Sequence, residues 1–328
     1  MKTTLRLSRE PAGEALERIA HHVEMINSLF RDFHIALPKG TVILRDEALA
    51  RRTTLRVGGP ADLWVEPPGE NALASVLELC ALRGIPVMVL GRGSNLLVRD
   101  GGFRGVVVSL SHAEFSRIVP EGDCLAVGAG VRLKQVAVEA RRLGLAGLEF
   151  LEGIPGSMGG ALRMNAGAMG RWTFDVVERM RCMDLYGAVQ DLERSKISVE
   201  YRSCPMLRTH LALGAVLRGS PAPVDEVRAR MDTYSRKRWE SQPSQPSAGC
   251  TFKNPAEGLP AGRLIDELGL KGTRIGDAMV SDVHANFLVN LGQASPDPLA
   301  PIELRTRVRE ARGLTLETEV EITGEDPT

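Results

Sequence analysis

Apolar residues recur at three- and four-residue steps from 13 to 34, at Leu16, Ile19, Val23, Ile26 and Phe30, the spacing of an amphipathic helix. Further helices are expected over 72–83, 132–143, 224–238, 261–268 and 299–312. In the second of these Leu133, Val136, Ala137 and Ala140 share a face, and Gly144 stops the run. Gly58-Gly59-Pro60 breaks the chain before Ala61–Val65, and short buried strands are expected at Ile85–Leu90 and Val106–Val108. A β-rich stretch runs to Gly130, and strands resume around 176–192 and 211–218. Residues 241–247, Ser-Gln-Pro-Ser-Gln-Pro-Ser, read as a linker. The end alternates strictly from Thr315 to Ile322: Leu316, Val320 and Ile322 on one face, Glu317, Glu319 and Glu321 on the other. The block Gly153–Gly170 is too rich in glycine for a regular helix or a long strand. Turns and helices both separate the strands, so the pattern is α+β or mixed α/β and not a regular βαβ repeat.

Composition narrows the class. The 328 residues, 43% hydrophobic and 25% charged, suffice for two or three domains. Lys plus Arg equals Asp plus Glu at 41 each, so charge argues for neither a nucleic-acid nor a membrane partner. The five cysteines form no C-x-x-C pair, which suggests neither a disulfide framework nor a metal site. The N-terminus lacks a secretory apolar core, and no run approaches the ~20 apolar residues of a membrane span. A soluble cytoplasmic protein is expected; its oligomeric state is open, a monomer included.

Five segments can carry chemistry. Gly91-Arg92-Gly93-Ser94-Asn95 follows an apolar strand, and its N–H groups and serine hydroxyl suit phosphate oxygens. It fails both the G-x-G-x-x-G and the Walker patterns, and a tight turn fits it equally well. Gly153-Ile154-Pro155-Gly156-Ser157-Met158-Gly159-Gly160, continuing to Asn165-Ala166-Gly167, has Arg163 as its single charge. Two such loops without an acid point to a dinucleotide whose pyrophosphate is held mainly by neutral donors; a compact Ω-loop is the alternative for the second. Tyr201-Arg202 reads by itself as surface. Cys250, in Gly249-Cys250-Thr251-Phe252-Lys253-Asn254-Pro255, suits a proton donor, a nucleophile or inert filler. Glu319 belongs either to a site or to a solvated face.

In their order and spacing, these segments together with Thr53–Ala61, Ala278–Asn290 and Leu316–Val320 resemble the UDP-N-acetylenolpyruvoylglucosamine reductases, from about Arg51 onward. The resemblance implies an α+β flavoprotein with an FAD-binding domain of the vanillyl-alcohol-oxidase-like type and a C-terminal α/β substrate-binding domain. Its divisions would be 1–60 (an N-terminal helix and the start of the FAD region, to which 315–328 return), 61–220 (FAD) and 221–314 (substrate). FAD would be held non-covalently by Gly91, Arg92, Gly93, Ser94, Asn95, Gly153, Gly156, Ser157, Gly159, Asn165, Ala166 and Gly167. NADPH would be the co-substrate. The implied catalytic set is Arg202, Glu319 and Cys250, the last standing where many members have serine. Tyr201, Lys253, Asn254 and His284 would contact the UDP-sugar. Arg202 and Cys250 lie only 48 positions apart with Tyr234 the only tyrosine between them, so the chain resembles the branch lacking an extra tyrosine-bearing loop. Two alternatives remain. One is another FAD enzyme of the same binding fold, with a flavin link at His112, Cys124 or Cys182. The other is a sugar-nucleotide-binding regulator that has lost catalysis.

Overall fold

The computed structural model describes residues 12–256, 258–292 and 299–326. The first layer comprises α1 (Ala12–Ala36), β1 (Val42–Ala48), β2 (Pro60–Glu66), α2 (Glu70–Leu82), β3 (Val87–Val89), β4 (Leu96–Val98) and β5 (Phe103–Val108). Its sheet has the order β1-β2-β5-β3, with β1 antiparallel to β2 and β5 parallel to both β2 and β3. Ala61–Val65 and Gly105–Val108 are buried throughout, as in strands covered on both faces, with Asp62 the one charged residue among them. Helix α1 closes one face by burying Ile26, Leu29 and Phe33 against α2 and the sheet. Val23 departs from the expected stripe and is half exposed, while the side chains of Leu16 and Ile19 lie outside the described residues. His22 Nε2 sits 2.8 Å from the buried Asp62 carboxylate, which Arg104 also pairs, so a polar contact fixes the helix laterally.

The second layer holds β6 (Ile118–Glu121), β7 (Cys124–Gly128), α3 (Leu133–Arg142), α4 (Met158–Arg163), β8 (Val177–Asp184), β9 (Val189–Glu193) and β10 (His210–Arg218). Its strands pair antiparallel in the order β9-β8-β10-β7-β6. The glycine-dense block contains a six-residue helix, α4, which the sequence pattern does not show. Met158, Ala161 and Leu162 bury that helix in the core of this sheet, and burial outweighs the poor helix propensity of its two glycines.

The last third contains α5 (Val224–Ser241), β11 (Ser247–Cys250), α6 (Ala261–Glu267), β12 (Arg274–Ile275), β13 (Ala278–Val280), β14 (Phe287–Asn290), α7 (Leu299–Arg312) and β15 (Glu321–Thr323). Helix α5 buries Val227 and Met231 in the core of the second layer. Beyond α5 a C-terminal unit packs around a core of its own. That unit is the sheet β11-β14-β13-β12, packed on α6 and α7 around Phe252, Ile265, Val280 and Val308. The alternating end is not one strand: Thr318 makes an isolated bridge to Phe252, and only Glu321–Thr323 is extended and paired, parallel to β4. The chain's last segment thus crosses from the C-terminal unit back onto the first layer.

Candidate active site

A cavity of about 1520 Å³ opens where these units meet. It exceeds the ~300–1,000 Å³ typical of one small-molecule site, leaving room for a dinucleotide and a second ligand together. Gly91–Asn95 and the block from Gly153 to Gly167 form adjoining parts of its wall. Close packing requires the glycines. A Cβ at Gly91 would lie 2.5 Å from Ser157 Oγ; at Gly93, with φ +58°, it would lie 2.7 Å from the Arg52 carbonyl. Among the described residues, the N–H groups of Arg92, Gly93, Ser94 and Asn95 and the hydroxyls of Ser94 and Ser157 have no protein partner. These uncommitted donors on a cavity wall form a cradle for a pyrophosphate. No cysteine or histidine stands in either loop.

Asn95 also does something the motif does not announce. Its amide Nδ2 donates to the Glu319 carbonyl at 3.0 Å, and its own carbonyl accepts from Glu321 N–H at 3.0 Å. From the other side, Glu319 N–H donates to the Thr251 carbonyl at 2.8 Å. Thr54 Oγ1 reaches both the Gly93 and the Ser247 carbonyls, at 3.2 and 2.7 Å. The first glycine loop is therefore stitched to the two C-terminal segments that carry Cys250 and Glu319.

Arg202, Cys250 and Glu319 all line the cavity. Arg202 Nε lies 2.8 Å from Glu319 Oε1, with only 20% and 11% of the two side chains exposed. The Nε–H is nevertheless buried without an aligned acceptor. Arg202 sits in the left-handed region at φ +57°, a strain that flanking contacts must hold. Burial raises the Glu319 carboxyl above its usual range, opposed by the Arg202 and Lys253 charges. Burial, with the Glu319 charge as a lesser cause, pushes the Cys250 thiol up to about 12.

Other expected contacts do not reach the cavity. The Asn165 side chain is used internally: Nδ2 donates to the Glu200 carbonyl at 3.3 Å, and Oδ1 accepts from Phe174 N–H at 3.2 Å. Asn165 therefore ties the turn before Arg202 to the segment that carries Phe174. Asn254 Oδ1 caps α6 by accepting from Ala261 N–H at 3.0 Å, which spends the oxygen on the helix start. Lys253 Nζ pairs with the exposed Glu317 at 3.3 Å, at the surface. His284 packs edge-on to Phe287 with its ring beside Gly262. Tyr201 is also absent from the wall; its ring lies beside Arg202 and Trp172.

A family model described as UDP-N-acetylenolpyruvoylglucosamine reductase, C-terminal domain, matches residues 242–323, and one described as FAD binding domain matches 61–193. The reductase of Geobacter metallireducens is 45% identical over 87% of this chain and 95% of its own. That of Clostridium novyi is 42% identical over 84% and 90%. The crystal structure of UDP-N-acetylenolpyruvylglucosamine reductase from Thermus caldophilus superposes with a TM-score of 0.75 at 39% identity, covering 86% of this chain and 98% of that one.

The chain belongs to the UDP-N-acetylenolpyruvoylglucosamine reductase family.

It is an FAD-dependent oxidoreductase. The start of the C-terminal match at 242 coincides with the end of α5, where the packing divides the chain. Among the described residues, no helix is long and apolar enough to cross a membrane. Two supporting residues escape a reading of this reductase's sequence. Asn286, only 3% exposed, holds the Cys250 segment by accepting from Phe252 N–H and donating to the Phe252 carbonyl, at 3.0 and 2.8 Å. Trp172 places its ring against Arg202. Asn286 lies inside the Ala278–Asn290 motif, so a buried asparagine between apolar residues was an available signal; Trp172 had none.

Proposed function

We propose that this reductase converts the enolpyruvyl ether of UDP-N-acetylglucosamine to UDP-N-acetylmuramate, with NADPH as electron donor. FAD, when bound, supplies the hydride chemistry, and the two glycine loops would hold its pyrophosphate. The observation that carries the reading is the Arg202–Glu319 pair, set beside Cys250 on the wall the glycine loops share. An enolpyruvyl carboxylate would give the Arg202 guanidinium a second anion to pair with, beside Glu319. As hydride reaches C3, negative charge grows at C2 and on that carboxylate. Arg202 stabilises it at close range, from a side chain only 20% exposed.

The proton for C2 is assigned to Cys250. A thiol at about 12 is a weak acid, yet the enolic carbon is a strong base, so the donor need only be protonated and placed. At any working pH it is fully loaded. Glu319, its carboxyl raised by burial, shares the polarising role with Arg202. We assign 61 to about 241 to the cofactor region and 242–320 to the substrate region, with the last strand returning to the first layer. The five free cysteines suit a reducing cytoplasm. The test is anaerobic: NADPH should bleach the purified yellow protein, and the UDP-sugar enol ether should restore the colour stoichiometrically. Bleaching without recovery would leave an FAD enzyme with some other acceptor.

A further inference from the structure

The Arg202 guanidinium is bounded on four sides. Glu319 is at 2.8 Å, and the Gly167 carbonyl accepts from Nη1 at 3.4 Å. Two rings complete the enclosure: the guanidinium carbon lies 5.2 Å from the Trp172 centroid and 5.5 Å from that of Tyr201. The rings meet edge-on at 5.5 Å and 76°, so each fixes the other. Trp172 is anchored before it reaches Arg202. It pairs across a two-strand bridge with Gly167, and its N–H donates to Asp175 Oδ2 at 2.8 Å. A Cβ at Gly167 would fall 2.4 Å from Trp172 Cε3. The glycine expected to face a flavin is thus also the one that lets an indole lie flat on the backbone. The 2.8 Å contact with Glu319 holds the guanidinium at Nε, and the two rings fix its plane.

The geometry points to Trp172 as a positioning residue: its face, seated on Gly167, holds the Arg202 guanidinium in the orientation that receives the substrate's carboxylate. This deepens the reading of Arg202 given above and rests on it. An indole face attracts a guanidinium more strongly than any other side-chain ring, and more so out of water.

Stopped-flow traces of both half-reactions test the idea on the FAD-loaded enzyme. Trp172→Leu should leave flavin reduction by NADPH unchanged and slow reoxidation by the enolpyruvyl substrate about 5- to 30-fold. Trp172→Phe should recover most of the loss, because a phenyl ring still presents a face. A second readout follows from Glu319, whose carboxyl the Arg202 and Lys253 charges hold down. In Trp172→Leu the acid limb of the reoxidation profile should move to higher pH, and in Trp172→Phe it should return. A merely structural role would not move that limb selectively. If Trp172→Leu fails to retain flavin, Trp172→Met and Tyr201→Leu carry the same comparison. Wild-type reoxidation rates and an unmoved acid limb in the leucine or methionine variant overturn the proposal. Arg202→Lys serves as the control: if it too reoxidises at the wild-type rate, the role of Arg202 fails, and not the brace alone.

Discussion

Cys250 gives the most direct quantitative test. Its thiol is pushed up to about 12 by burial, so at pH 8 only about 10⁻⁴ of it is thiolate. A thiol titrating at about 8.5 would be roughly 20% ionised at that pH. Alkylation proceeds through the thiolate, so iodoacetamide should modify Cys250 about 10³-fold more slowly than a free thiol, although the residue lines an open cavity. This reverses what a cysteine in a motif usually suggests, namely sensitivity to thiol reagents and to mild alkali. The rate of flavin reoxidation should accordingly show no loss of the donor between pH 7 and 10. Cys250→Ser should keep substantial activity, while Cys250→Ala should accept electrons from NADPH normally and lose about 10²–10⁴-fold in substrate reduction. Anaerobic stopped-flow over that pH range, with peptide mass mapping of the alkylated protein, measures all of these. An alanine variant that reoxidises at the wild-type rate would refute the assignment. A wild-type donor limb near pH 8.5 that vanishes in Cys250→Ser would refute the burial argument.

Glu319→Gln should slow reoxidation and spare flavin reduction, whereas Glu317→Gln, 77% exposed and paired only with Lys253, should behave as wild type in both; equal behaviour of the two variants would remove Glu319 from the site. Denaturation by acid or heat should release all the flavin into the supernatant, since neither glycine loop carries a cysteine or histidine to link it; retained colour in the pellet would contradict this. Burial pushes the Cys80 thiol up to about 12, while the unfolded chain releases that proton near its ordinary value. The folded protein binds more protons there, so stability is complete below about pH 8.5 and lost as pH rises toward 12, by about 1.4 kcal/mol per pH unit. Denaturation midpoints from pH 8 to 11 should fall more steeply for wild type than for Cys80→Ala.

What the sequence disclosed depends on the range of the interaction. The helices with a clean apolar stripe were legible within two or three residues, because one face of each meets a core. The glycine loops and the residues at 202, 250 and 319 were legible as motifs, and all of them but Asn165 meet in one cavity. The extension from 315 to 322 was misread, because alternation of apolar and acidic residues cannot reveal where a strand finds its partner. Residues 317–319 pair with 251–253, and from Glu321 the chain switches to β4, more than 200 positions earlier. Lys253, Asn254 and His284 share a segment with the site but are claimed by local needs: a surface ion pair, a helix cap and a ring contact. Motif membership indicates neighbourhood and not direction.

The residues that hold the site share a different property. Asn95, Thr54, Asn286 and Trp172 each act across the fold, on a partner 30 to 224 positions away. Asn95 and Thr54 make the same kind of bond, a side chain closing on the backbone of the other unit. Their combined effect is that the cradle for the pyrophosphate and the segments bearing Cys250 and Glu319 move as one piece. A ligand pressing on the first glycine loop would bear directly on the carbonyl of Glu319 through the Asn95 amide. Cofactor occupancy and the placement of the acid are then mechanically linked, so loss of flavin should loosen Glu319.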